Sequence, residues 1–171
     1  MKKLFVPFLI LLMSFTIAGE EWTSVTLMDK VTVSMPGKAK EDNSKGVPMQ
    51  QVILEDSTMV LAGAIDYSMF GMDAEMLSKM AGTDEFKQQM EMGVSMQPGM
   101  KLIKNEAGKY NDKYFSYDMT VDMDKDGVKG IVSTRTVFYK QYGITITYIP
   151  GKKGENAEMK NKIFNSLKIA E

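Results

Sequence analysis

The segment SMFGMDAEMLSKM, Ser68 to Met80, sets four thioethers at 69, 72, 76 and 80, and Met90 and Met92 follow. Thioether sulfur is a soft ligand suited to Cu(I), and the spacings Met69/Met72 and Met90/Met92 make a Cu+ site one reading of the segment. Packing is the second reading. Met72, Met76 and Met80 recur at i, i+4 and i+8, the stripe with which a helix faces a core, and Met fills irregular gaps well. A third reading lines an apolar groove with these flexible side chains, for a hydrophobic ligand or a partner protein. Exposed sulfurs could also scavenge oxidants through reversible sulfoxide formation. The spacing favours packing over metal, because a stripe about 12 Å long at about 1.5 Å per residue does not converge on one ion.

DMDKDG, Asp122 to Gly127, opens like an EF-hand loop and makes Asp122, Asp124 and Asp126 candidate Ca2+ ligands. The twelfth position is Ser133 instead of Glu, and no helical pattern flanks the segment. A tight Asp-Gly turn explains the same residues. Arg135, the chain's one arginine, fits either an anchor for a ligand carboxylate or a cross-strand partner of Asp118. Asp118 and Asp122 share a strand face about 13 Å apart, too far for a glycosidase pair.

The residues that are missing narrow the chemistry further. With no His and no Cys, Ser-His-Asp and Cys-His nucleophiles, HExxH sites and Cys/His zinc sites are impossible. Neither GxGxxG nor GxxxxGK[ST] occurs. The expectation is a protein without catalysis and without a resident cofactor.

These side chains need elements to hold them. WTSVTL (22–27) and VTVSM (31–35) read as strands, the second stopped by Pro36-Gly37. KAKEDNSKG reads as a polar loop. MQQVILE (49–55) and TMVLAGAIDY (58–67) form a hairpin around Asp56-Ser57, with Gly63 marking a bulge or close packing. Asp73 caps a helix that Gly82 ends, and Thr83 caps a second one, DEFKQQMEMG. MKLIKNEA (100–107) is a strand that Gly108 turns.

In KYFSYDMTVDMDKDGVKGIVSTRTVFYK, the residues Phe115, Tyr117, Met119, Val121 and Met123 alternate with polar ones. A two-residue loop at Asp126-Gly127 fixes a hairpin whose partners sum to 253. Phe115 then faces Phe138, Val121 faces Val132, Asp118 faces Arg135 and Asp124 faces Lys129. YGITITYIP (142–150) is a further strand. Met159, Ile163 and Leu167 make the apolar stripe of a closing amphipathic helix. The fold class is α+β: a twisted antiparallel sheet of about seven strands. The helical insert and the C-terminal helix pack on that sheet.

The chain opens MKKLFVPFLILLMSFTIAGEEW. Lys2 and Lys3 precede an apolar run from Leu4 to Met13, with Thr16 and Ala18 where a signal peptidase reads small residues. Residues 1–18 read as a Sec signal peptide and 19–171 as one α+β domain, periplasmic or secreted in a bacterium. No cysteine stands near the cut, so the protein is not a lipoprotein, and after cleavage no integral membrane span is left. Removing Lys2 and Lys3 from 21 basic residues leaves 19 against 22 acidic ones, a net charge of −3 with no basic stripe for nucleic acid. The partners expected are a hydrophobic ligand or an envelope protein.

The order of elements resembles a known family. A start like VTLMDKVTVSMPGKAK, a helical middle and an end like YGITITYIPGKKGENAEMKNKIFNSLKI look like the PsbP/Mog1 fold. Its members include photosystem extrinsic subunits, a Ran-binding factor and bacterial envelope proteins. The resemblance implies a non-catalytic accessory or binding protein and carries no functional residue across. N-terminal sequencing of the exported protein should begin at Gly19; an N-terminus that retains Lys2 and Lys3 would refute cleavage.

Overall fold

The computed structural model describes residues 21–43, 47–125 and 128–170. Residues 1–18, Asp126 and Gly127, on which the signal peptide and the hairpin loop were placed, lie outside the described residues.

A seven-stranded antiparallel sheet forms the centre, in the order β3-β4-β5-β9-β8-β7-β6. Its strands are β3 (Lys40–Asp42), β4 (Met49–Ile53), β5 (Met59–Asp66), β6 (Met100–Tyr110), β7 (Tyr114–Lys125), β8 (Val128–Tyr139) and β9 (Tyr142–Ile149). A second sheet joins β1 (Trp22–Met28), β2 (Val31–Pro36) and β10 (Lys168–Ile169). The helices are α1 (Ala74–Met80), α2 (Asp84–Ser95) and α3 (Ala157–Asn165). A short 3-10 turn, Tyr67–Phe70, leads into α1.

The β7–β8 ladder runs from Ser116↔Val137 to Lys125↔Val128, every pair summing to 253. Tyr117 therefore meets Thr136 and Asp118 meets Arg135. Alternation then divides the sheet into two working faces. One face presents Val60, Ala62, Val137, Ile144, Ile146 and Tyr148 to the small sheet and α3, and with Val31, Val33, Met35, Ile163, Phe164 and Leu167 they form the larger core. The opposite face presents Tyr117 and Phe138 to the helical layer, where Leu77, Ala81 and Phe86 close a smaller core. Met119, Val121, Met123 and Val132 are buried along the Tyr117 face.

The helices begin where short polar side chains take up free amides. The Asp73 carboxylate accepts from the Met76 N–H at 2.8 Å, and the Thr83 hydroxyl from the Phe86 N–H at 3.2 Å. Gly82 does more than end a helix. A Cβ there would stand 2.5 Å from the Phe115 ring, so its bare backbone lets the α1–α2 junction rest on the sheet. Gly63 marks close packing, since its Cβ would lie 2.3 Å from the Met49 sulfur.

Several expectations are corrected. KAKEDNSKG is not all loop, because Lys40–Asp42 pairs with β4. Gly108 does not turn the chain: β6 runs on to Tyr110, and the reversal falls at Asn111 and Asp112, both at positive φ. The first two strands leave the main sheet. Their third partner is the tail Lys168–Ile169: the closing helix ends at Asn165 and does not carry Leu167 on its stripe, and the tail pairs with β2 as a strand. Ser166 secures that tail, accepting from the Ser34 N–H at 2.9 Å.

Two tyrosines stitch the layers together. The Tyr117 hydroxyl donates to the Ala81 carbonyl at 2.7 Å, tying β7 to the end of α1. The Tyr110 hydroxyl donates to the Leu167 carbonyl, tying β6 to the segment after α3. Burial pushes the pKa of both up, along with that of Tyr67. Arg135 pulls Tyr110 partly back, whereas Asp84 and Glu91 push Tyr117 further. A phenol whose folded pKa exceeds its unfolded value stabilises fully below the unfolded value and loses that contribution as pH rises through the folded one. Stability in urea should therefore fall as pH climbs above the ordinary value of 10.0. In the native protein these three phenols should ionise above the ordinary value of 10.0 by phenolate absorbance. Ionisation of Tyr110 and Tyr117 at or below that value would contradict the stitching.

Candidate functional site

The helical layer carries the methionines, and its geometry separates them. Leu77, Ala81 and Phe86 are the residues that face the sheet. Met72, Met80 and Met90 pack half-buried at the margin of that core. Met69 is 80% exposed, Met76 46%, Met92 60% and Met96 76%, and Phe70 beside Met69 is 66% exposed. The expected stripe at 72, 76 and 80 is therefore not the buried face. Met72 precedes the helix, Met76 points outward, and the inward line is Leu77 and Ala81. The cap at Asp73 fixes where the first turn begins.

The pairs weighed for Cu(I) are also apart in exposure. Met90 lies against the core and Met92 stands in solvent, since a spacing of two on an α-helix turns the side chain by about 200°. Met69 is solvent-facing and Met72 half-buried. The depression nearest the insert, about 290 Å³, is lined by Ala81, Gly82, Ala107, Lys109, Phe115 and Tyr117, with no methionine among its lining residues. The insert offers an outward thioether surface, with its inward face closed by Leu and Phe.

Asp122 and Asp124 lie exposed on one face of β7, and Asp124 is paired with Lys129 at 2.8 Å. A cation bound there would have to displace Lys129. Among the described residues no group of three or more acidic side chains is arranged to hold a metal ion. Asp126, the third proposed ligand, lies outside them.

Arg135 is held from several sides. Its Nε donates to Asp118 Oδ1 at 2.7 Å and its Nη2 to Oδ2 at 2.6 Å, the parallel fork that suits guanidinium to carboxylate. Nη1 reaches the Phe164 carbonyl at 3.4 Å and Asn165 Oδ1 at 3.3 Å, at the C-terminal end of α3. The guanidinium also lies 5.2 Å from the Phe164 ring centre. Asp118 holds Arg135 in its protonated form more firmly than usual. A polar depression of about 370 Å³ opens beside this cluster, lined by Glu106, Tyr110, Ser116, Asp118, Arg135 and Asn165. Any ligand carboxylate seeking Arg135 has to compete with Asp118. Sequence reasoning found the Asp118 pair and missed the contacts to α3, which pattern alone does not place.

No family model and no curated protein matches the sequence. Among solved structures the chain is similar to the solution structure of cyanobacterial PsbP (CyanoP) from Synechocystis sp. PCC 6803. The TM-score is 0.56 at 13% identity, covering 92% of this chain and 96% of that one. The fold is PsbP-like. A Pseudomonas aeruginosa protein of unknown function is also similar, with TM-score 0.45 and 12% identity over 77% of this chain and 84% of that one. The family expected from the element order at the two ends is thus the fold observed. No helix among the described residues is long and apolar enough to cross a membrane.

In this PsbP-like chain Arg135 therefore joins β7, β8 and α3. Arg135→Lys keeps the charge and loses the fork. It should cost about 1–2 kcal/mol in urea denaturation, a charged hydrogen bond discounted for partial exposure. An unchanged unfolding midpoint would show that the contact contributes nothing.

Proposed function

We propose that this chain is an exported, non-catalytic binding or accessory protein of the cell envelope. It offers the outer face of its helical layer to an apolar segment of a partner protein. The reading rests on one observation: Met69, Phe70, Met76, Met92 and Met96 are exposed on the layer that Leu77, Ala81 and Phe86 hold against the sheet. Soluble proteins place most large apolar side chains inside, so this concentration in one layer marks a contact surface. Outward thioethers suit a protein partner better than a small hydrophobic ligand. A small ligand needs a concave site that buries most of its surface. A flexible Met face adapts to the contours of another protein.

Export enters through the Lys2-Lys3 and Leu4–Met13 pattern, and absence of catalysis through the lack of His and Cys. A photoreactive amino acid placed at Met92 or at Met96, in cells that export the chain, tests the reading. Both positions should yield one and the same discrete adduct, and Lys153, exposed in the turn between β9 and α3, should yield none. Saturable binding of a hydrophobic dye that Met76→Ser and Met80→Ser abolish would overturn the protein-partner reading in favour of a small apolar ligand.

A further inference from the structure

β6 is the long free edge of the central sheet. It spans eleven residues, pairs only with β7, and stands opposite an edge, β3, of three residues. An edge strand presents unpaired N–H and C=O groups that another strand can take up. Lys101, Lys104 and Lys109 and the bulge at Ile103 discourage indiscriminate pairing. They also single out one partner.

Two copies of β6 can pair antiparallel about a twofold axis perpendicular to the sheet. Facing residues must then lie on the same side of the pleat, so on the regular stretch from Lys104 to Tyr110 each pair sums to an even number. An axis at Lys104 or at Glu106 brings like charges together, and an axis at Ala107 sets Glu106 against Gly108. An axis at Asn105 sets Lys104 against Glu106 of the second copy, and does so twice. Within one chain Lys104 and Glu106 already pair with each other at 2.8 Å, and both are more than half exposed, so in the dimer each shares this partner with its counterpart in the second copy. The bulge between Leu102 and Lys104 puts Lys101 and Lys109 on opposite faces, beside Asp122 and Phe115 respectively, so these two lysines do not meet.

A second feature points to the same residue. Asn105 Oδ1 is the one buried side-chain oxygen or nitrogen among the described residues with no hydrogen-bond partner. Its Nδ2 donates to Glu91 Oε1 at 3.1 Å, which leaves one amide hydrogen unused. On the axis two Asn105 side chains would stand with Cβ atoms about 4.5–5.5 Å apart, and a turn of each side chain, whose Oδ1 is covered in the single chain, would bring the two amides together.

We propose that β6 is a homodimerisation edge: two copies of this chain pair through β6 in the register centred on Asn105, joining their seven-stranded sheets into one. The axis keeps both α2 helices on the same side of the joined sheet. Sedimentation velocity of the purified chain from micromolar to submillimolar concentration should show a monomer–dimer equilibrium. Lys104→Glu turns two attractive pairs into repulsive ones and should weaken the dimer about tenfold or more. Adding Glu106→Lys to it restores complementarity and should return the dissociation constant to within about threefold of the original. The chain has no cysteine, so Asn105→Cys should cross-link to its own copy on oxidation and Lys101→Cys should not. A chain that stays monomeric throughout, a Lys104→Glu variant that dimerises undiminished, or equal cross-linking from both cysteine variants overturns the proposal. Circular dichroism confirms that each variant is folded.

Discussion

The alternation of β7 against β8 is the constraint on which the other layers depend. Neighbouring residues on one strand serve opposite sides of the molecule. Tyr117 reaches down to the Ala81 carbonyl of the helical layer, and Asp118, the next residue, binds the arginine that braces α3. A slip of one residue would send the phenol into the α3 core and the carboxylate beneath α1. Both layers would then lose their anchor at once. The opposite-charge pairs Asp118–Arg135 and Asp124–Lys129 fall into place in the observed register and in no neighbouring one.

That constraint was legible because its determinants are local. Asp126-Gly127 favours a two-residue reversal, and counting outward from it yields the observed ladder. The helix starts at Asp73 and Thr83 were legible for the same reason, since a cap is read within three residues. What could not be read depends on distant partners. Nothing near VTVSM says that it pairs with a tail more than 130 residues later, and that pairing separates β1 and β2 from the main sheet. The rotation of α1 is a subtler case. Met76/Met80 and Leu77/Ala81 are competing stripes one residue apart, and the tie is broken by the surface they meet. Phe138, Tyr117 and Phe115 receive the branched Leu77 and the small Ala81, and leave Met76 outside.

Likeness to cyanobacterial PsbP at 13% identity, over nearly the whole of both chains, is consistent with this division. A backbone path can be specified by hydrophobic alternation, turn residues and caps, which many sequences supply. The outward methionines, the Arg135 cluster and the charges along β6 are not required for that path. Any binding property is to be sought among them. The fold positions these groups, and the chemistry of the side chains decides what each surface can hold.

The two cores differ in size, and the difference bears on the exposed surface. Among the described residues thirteen buried apolar side chains join the small sheet and α3 to the central sheet, and five join the helical layer. Burial stabilises roughly in proportion to apolar area, so the helical layer is held less strongly. It is also the layer that carries the outward sulfurs. Segments with few buried contacts open at lower free energy than the global fold and can repack against what they meet. A loosely held layer faced with unbranched, polarizable side chains conforms to a partner at little cost in strain. The Tyr117–Ala81 hydrogen bond and the seat of Gly82 on Phe115 keep it attached to the sheet. Adaptability and attachment thus come from different atoms of the same layer: the sulfurs outside, and a phenol and a bare backbone within.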